Sequence, residues 1–358
     1  MGHKDEKTSK NDGMLNNSQK PSLLIVEQNM NFNEVFVEHC NKLPYKIGNF
    51  FTSWDLPFQY TWTGKIRNLI HRNFLGNKNY LDILKEEQYN RFCRKCIKAF
   101  EKKFPGKFDY CLLFRADRLP QFLIEYFRSK SKLLVAYQYD GLSVCENILS
   151  YTDYLDKIYV FDPYDISKFK NKKLSFVTNF HFSLTSDHTL SYFFYYLGTW
   201  VDARYENLNN LLQILGKTPL PNRLILATDK QISANREILT AKNHMPFKDY
   251  LEDIKGATIL IDIKAQQHDG LSFRFFESLN LRKKLITDNK SVINYNFYHP
   301  DNIFITDYEN FDGLEEFMSK PYHPVPKDIV NMYSLDNWIK NVFEIDDYVP
   351  IPEPKNML

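Results

Sequence analysis

The sequence predicts an α/β protein built from two Rossmann-like, doubly wound domains that face a central cleft. Three observations lead there. From Leu23 onward, short runs rich in Leu, Ile, Val and Phe alternate with stretches of helical spacing, the pattern of parallel strands covered by helices on both faces. A polar segment, "HFSLTSDHT" (His181 to Thr189), interrupts that alternation, which then starts afresh. The length of 358 residues suits two domains of ordinary size.

In chain order, residues 1–21 are polar, lysine-rich and without periodicity, and read as a disordered leader or tag. "LLIVE" fits a buried strand, "FNEVFVEHCNKL" a helix and "KIGNFFT" a second strand. The aromatic insertion "SWDLPFQYTWTG" and the residues after it mix Trp54, Phe58, Tyr60 and Trp62 with Lys65, Arg67 and Arg72. A loop packed on its own rings is the expectation there, with a sugar face or an anionic membrane surface as alternative partners. A long helix from Tyr80 to Phe104 stops at Pro105 and Gly106. Strand "DYCLLFR", helix "LPQFLIEYFRSK", strand "KLLVAYQYD", helix "CENILSYTDYL" and strands "KIYVFD" and "LSFVTNF" complete the first domain, 22–185.

The second domain, 186–330, opens with strand "SYFFYYLG", helix "DARYENLNNLLQIL" and strand "NRLILATD". Helices "SANREILTAKN" and "PFKDYLEDIKGA" follow, then strands "TILIDIK", "KLITDN" and "NIFIT". Residues 331–358 form a helix, "SLDNWIKNVFE", and a proline-bounded tail that can cross back to the first domain.

Composition excludes several classes. A formal charge of +2 with scattered lysines gives no nucleic-acid footprint. Absence of a long apolar run, and of a signal-peptide centre, predicts a cytoplasmic protein, with room for peripheral contact at the membrane's inner face. Five widely spaced cysteines, Cys40, Cys93, Cys96, Cys111 and Cys145, make no disulfide framework, and the Cys93–Cys96 pair lacks a second pair for zinc. No histidine spacing suits a metal, and no P-loop, G-x-S-x-G or dinucleotide fingerprint occurs. Neither a metal nor a bound cofactor is expected.

The sharpest local signal is "QHDGLSFRFFESLNLRKKLITDN", Gln267 to Asn289. It follows a strand, turns at Asp269 and Gly270, and begins a helix whose uncapped amides (Leu271, Ser272, Phe273) would attract an anion. Gly270 would allow a left-handed turn or close approach to a ligand. Arg274 near the positive helix end calls for a counter-ion, such as a diphosphate. Spacing alone leaves a plainer arrangement open, with Asp269 capping the helix and Glu277 pairing with a lysine such as Lys284.

The segment "DGLSFRFFESLNLRKKLITDN" resembles the donor-site signature of GT-B glycosyltransferases, especially the bacterial enzymes that build lipopolysaccharide and capsule. The resemblance extends to "YLGTWVDARYENLNNLLQIL" in the second domain and to "YQYDGLS" and "DKIYVFDPYDISKF" in the first. It implies a nucleotide diphosphate sugar as donor, held by the second domain, and a glycan or lipid-linked acceptor at the first. It maps ribose recognition onto Glu277 and donor-sugar recognition onto Asp269, where the common form of the signature has Glu. Arg274 and the helix amides would oppose the diphosphate charge without a metal. Lys230 after "NRLILATD" is a further candidate for phosphate, and Gly198 for close approach to the donor. His268 adjoins the motif as either a donor contact or a loop residue. Asp140, ending "KLLVAYQYD", is the candidate general base, with Asp117 its competitor or a helix cap. A nucleotide-sugar epimerase of the same architecture, or a non-catalytic glycan-binding scaffold, are the alternatives.

Overall fold

The computed structural model describes residues 20–28, 32–53, 56–185, 189–215, 218–229, 235–242, 245–265, 268–345 and 347–355. Lys230, Trp54 and all but Lys20 and Pro21 of the predicted leader lie outside them.

The first sheet holds β1 (Ser22–Gln28), β2 (Lys46–Thr52), β3 (Phe108–Phe114), β4 (Ser131–Gln138), β5 (Lys157–Val160) and β6 (Leu174–Phe176). Its order is β2-β1-β3-β4-β5-β6, parallel throughout. Its helices are α1 (Asn33–Cys40), α2 (Trp62–Asn73), α3 (Tyr80–Lys103), α4 (Gln121–Lys130), α5 (Leu142–Cys145) and α6 (Tyr164–Phe169). Leu23, Leu24, Ile25 and Val26 are all fully buried, because helices cover both faces of β1 and successive side chains point to opposite sides.

The second sheet holds β7 (Tyr192–Thr199), β8 (Arg223–Ala227), β9 (Ile238–Ala241), β10 (Ala257–Asp262), β11 (Lys284–Thr287) and β12 (Ile303–Ile305). Its order, β12-β11-β10-β7-β8-β9, is again parallel. The helices here are α7 (Asp202–Ile214), α8 (Phe247–Lys255), α9 (Phe273–Leu281), α10 (Leu314–Ser319) and α11 (Lys327–Met332), and α12 (Leu335–Phe343) ends the chain's helices. The strand order reverses between β7 and β10, and between β1 and β3 in the first sheet. Crevices open at such points beyond the carboxyl ends of the strands.

Three local expectations fail. "SANREILTAKN" forms a strand at its centre, not a helix: Ile238 to Ala241 pair with Leu224 to Ala227, so an open sheet edge overrides weak helical spacing. The connection between β5 and β6 contains a helix, α6, that was not anticipated. The aromatic insertion is a loop only as far as Thr61, where Phe58 packs on Tyr60 at 5.3 Å; from Trp62 it forms the twelve-residue helix α2 instead.

The C-terminal helix α12 packs against the first sheet. Trp338 is fully buried against Phe114, Tyr137 and Phe180, and its indole N–H donates to the Thr178 carbonyl at 2.7 Å. Removing such a ring costs about 3–5 kcal/mol. The front of the "HFSLTSDHT" segment is also pinned there: His181 exchanges backbone hydrogen bonds with Tyr333 and Leu335. Its ring bridges the Ser183 N–H and the Val330 carbonyl, and burial pushes its pKa down to about 4. The imidazole is thus neutral, with Nδ1 accepting and Nε2–H donating.

Candidate active site

A cavity of about 320 Å³ opens at the reversal point of the second sheet. The carboxyl end of β7 (Leu197, Gly198, Thr199), the start of α8 (Phe247, Tyr250) and the first turns of α9 (Ser272, Phe273, Arg274, Glu277) line it. Phe32, at the end of the β1–α1 connection, packs on Phe273 at 5.3 Å and Phe247 at 6.0 Å, so the first domain borders the cavity wall.

Glu277 is the unusual residue. Phe275, Phe276 and Leu279 turn α9 toward the core, and the helix carries Glu277 with them to 2% exposure. Its Oε2 accepts from the Tyr250 hydroxyl at 2.5 Å, while Oε1 has no partner among the described residues. Burial raises its pKa to about 7, against the opposing pull of the Tyr250 hydrogen bond and the Arg274 charge. A buried oxygen without a donor is a standing penalty unless a ligand supplies one.

Arg274 does find a counter-ion, but within the protein: Asp262 Oδ1, at the end of β10, lies 3.6 Å from its Nη1. The guanidinium also donates to the Leu197 carbonyl and lies 4.8 Å from the Tyr196 ring centre, while Nε is unpartnered among the described residues. Burial pulls its pKa down, but Tyr250, Tyr196, Asp262 and Glu277 together raise it. Asp262 is fixed in turn by the Ser272 and Thr287 hydroxyls at 2.6 and 3.1 Å. Ser272 is the N-cap of α9, yet its hydroxyl serves Asp262 and does not cap the helix amides. Gly198 lines the cavity as well, and a Cβ there would stand 2.5 Å from the Tyr196 hydroxyl.

The other motif residues do something different. Gly270 has no left-handed backbone; a Cβ on it would come within 2.6 Å of the Phe161 ring and 2.8 Å of the Phe161 carbonyl. Its close approach is therefore to the first domain. Leu271 is buried, and its carbonyl accepts from Asn179 at 2.9 Å. The Asp269 N–H donates to Asp162 at 2.8 Å, and its carboxylate pairs with Lys264 at 2.6 Å. Asp269, Gly270 and Leu271 thus join the two domains and are absent from the cavity lining. His268 packs on Phe161, and burial lowers its pKa. Lys284 gives its ammonium to the Phe317 and Lys320 carbonyls, so neither part of the plain cap-and-pair arrangement occurs.

Across the cleft, a charged cluster occupies the reversal point of the first sheet. Arg115, in a left-handed conformation, grips Asp117 through two hydrogen bonds, 2.9 and 3.0 Å, and also pairs with Asp140. Gln28 spans from β1 to the carbonyls of Phe114 and Arg115. Asp117 caps no helix; its side chain is 8% exposed, whereas that of Asp140 is 41% exposed. Glu27, beside Gln28, is buried with one unpartnered oxygen among the described residues, and burial pushes its pKa up to about 8.

No protein-family model and no curated protein matches the chain. Among solved structures, a sucrose-phosphate synthase from Thermosynechococcus elongatus superposes with a TM-score of 0.54 at 9% identity, over 90% of this chain and 98% of that one. The fold is GT-B. Of the residues that line the second-sheet cavity, sequence reading named Glu277, Arg274, Ser272 and Gly198 and did not name Tyr250 or Phe247, nor Asp262 behind Arg274. A tyrosine three residues after Phe247 on an amphipathic helix carries no signal of its own, because its role depends on meeting Glu277 across the fold.

Proposed function

We propose that the protein is a glycosyltransferase whose donor, a nucleoside diphosphate sugar, binds in the second-domain cavity. The observation that carries the proposal is the Oε1 of Glu277, unpartnered among the described residues and a buried acceptor suited to a ribose hydroxyl, at the crevice where open α/β sheets bind ligands. The fold shared with a sucrose-phosphate synthase supports it. The amides at the start of α9 and the Arg274 charge stabilise the diphosphate as it leaves. An acceptor hydroxyl from the first-domain side attacks the anomeric carbon; the new glycosidic bond forms as the bond to the diphosphate oxygen breaks. Asp140 is the most exposed carboxylate of the facing cluster and the candidate to take the hydroxyl proton, in competition with its Arg115 ion pair. The motif's resemblance supports an acceptor in bacterial surface polysaccharide assembly.

Thermal shift with a panel of nucleoside diphosphates, followed by incubation with the matching nucleotide sugars and glycan or lipid-linked acceptors, tests this reading. Stabilisation by one nucleotide, lost in Glu277→Ala, and a product extended by one sugar are expected. No stabilisation by any nucleotide overturns it, and conversion of the donor sugar without transfer identifies an epimerase.

A further inference from the structure

Helix α2 is built inside out. Its buried positions are Gly64 and Asn68, small and polar, with Asn68 donating to the Tyr60 hydroxyl at 2.6 Å. Trp62, Ile66, Leu69 and Ile70 lie on the opposite side, 73%, 47%, 58% and 44% exposed. At 100° per residue they fill an arc of about 100°, centred nearly opposite the arc of Gly64 and Asn68. Phe74 and Leu75 continue the exposed apolar surface past the helix end. Seven of the seventeen exposed large hydrophobic side chains among the described residues fall between Tyr60 and Leu75.

Within the segment that carries the stripe, the charges have one sign. Residues 56–81 include Lys65, Arg67, Arg72 and Lys78 and no Asp or Glu. Lys65 and Arg72 flank one side of the stripe and Arg67 the other, all exposed. Arg67 is paired with Glu87 of α3, whereas Lys65 and Arg72 form no ion pair among the described residues. Polar contacts fasten the helix: the Thr61 hydroxyl accepts from the Gly64 N–H at 3.1 Å, and the His71 ring stacks on Tyr80 at 3.6 Å. A helix held by its polar side and presenting a Trp-bearing apolar stripe between cations has the layout of one that lies in a bilayer interface.

We infer that α2 docks the protein on an anionic lipid surface, inserting Trp62, Ile66, Leu69 and Ile70 while Lys65 and Arg72 meet the headgroups. Lys65 and Arg72, the flanking cations that form no ion pair among the described residues, favour anionic lipid over a second copy of this chain, which would set these cations against their own kind. Because α2 follows the carboxyl end of β2, it leaves the first sheet at the end where Glu27, Arg115 and Asp140 stand. Docking does not depend on the glycosyl-transfer reading and needs neither donor nor acceptor.

Flotation of the full chain with phosphatidylcholine vesicles, with and without phosphatidylglycerol, tests the inference. Binding to the anionic vesicles is expected, and Leu69→Glu/Ile70→Glu should abolish it with an unchanged melting temperature and unchanged nucleotide binding. Each cation near an anionic surface strengthens partition roughly fivefold, so Lys65→Gln/Arg72→Gln should weaken it roughly twenty-five-fold. Failure to float with either vesicle, or flotation that survives Leu69→Glu/Ile70→Glu, overturns the inference. So does light scattering that shows a dimer which this variant dissociates.

Discussion

Replacing Glu277 by Gln should make the empty protein more stable and its complex with the donor weaker, and both effects should follow pH. With its pKa raised from 4.5 to about 7, the Glu277 carboxyl favours folding fully below pH 4.5 and loses that contribution as pH climbs through 7. The difference corresponds to about 3 kcal/mol at pH 8, which Gln, having no charge to bury, avoids. A ligand hydroxyl donating to Oε1 reverses the balance, because two O–H donors on one carboxyl favour its ionised form. Binding then requires deprotonation. Roughly ten in eleven empty molecules are protonated at pH 6 and one in eleven at pH 8, so donor affinity should rise about tenfold between those values and then level off. Titration calorimetry with the nucleotide sugar selected by the panel measures this cleanly, since its doubly esterified diphosphate has no ionisation near pH 6. Thermal melts of both proteins without ligand supply the other half. Equal pH dependence of donor affinity in Glu277→Gln and the parent, or a lower melting point of Glu277→Gln at pH 8, would refute the reasoning.

Three further outcomes are expected. Asp140→Asn should lower turnover and leave donor affinity unchanged, with Arg115 still held by Asp117; undiminished turnover in steady-state assays removes Asp140 from the mechanism. Glu27→Gln should raise the melting temperature at pH 9 and leave it unaltered near pH 4.5, because a carboxyl with its pKa at about 8 loses its favourable contribution as pH rises to that value; parallel melting curves across pH exclude this account. Gly270→Ala should destabilise the fold by about 1–3 kcal/mol, as overpacking does, since the Phe161 carbonyl cannot move aside, while nucleotide affinity below the melting transition stays intact. A denaturant midpoint equal to that of the parent would show that Gly270 does not set the domain contact.

Most of the sheet architecture was legible because burial on both faces leaves strands as unbroken apolar runs such as "LLIVE" and "TILID". The edge was not: β9 has one neighbour, two exposed side chains of four, and a composition with no strong period. Helix α2 escaped for a related reason, its apolar stripe facing outward and its buried positions being Gly64 and Asn68, the reverse of what periodicity is read to mean. In the motif, spacing correctly set Glu277 one turn beyond Phe273 on α9. It could not reveal that Asp269 to Leu271 face Phe161, Asp162 and Asn179, residues about a hundred positions away. Contacts of that kind arise from the meeting of two domains, and no local pattern encodes them.

The division of the motif also bears on what Glu277 is for. If the whole segment existed to join the domains, its buried positions would be apolar or fully hydrogen-bonded, as Gly270 and Leu271 are. Glu277 is neither: it lies on the same helix as Phe276 and Leu279, shares their burial, and leaves one oxygen unpartnered among the described residues. Tyr250 satisfies the other oxygen and so fixes the carboxyl's direction, and Arg274, already tied to Asp262, moderates its charge without claiming it. A core that needed only stability would do better with Gln or Leu at this position. Two buried polar atoms at the cavity of the second sheet, Glu277 Oε1 and Arg274 Nε, are unpartnered among the described residues, and a hydroxyl-bearing ligand would relieve the first.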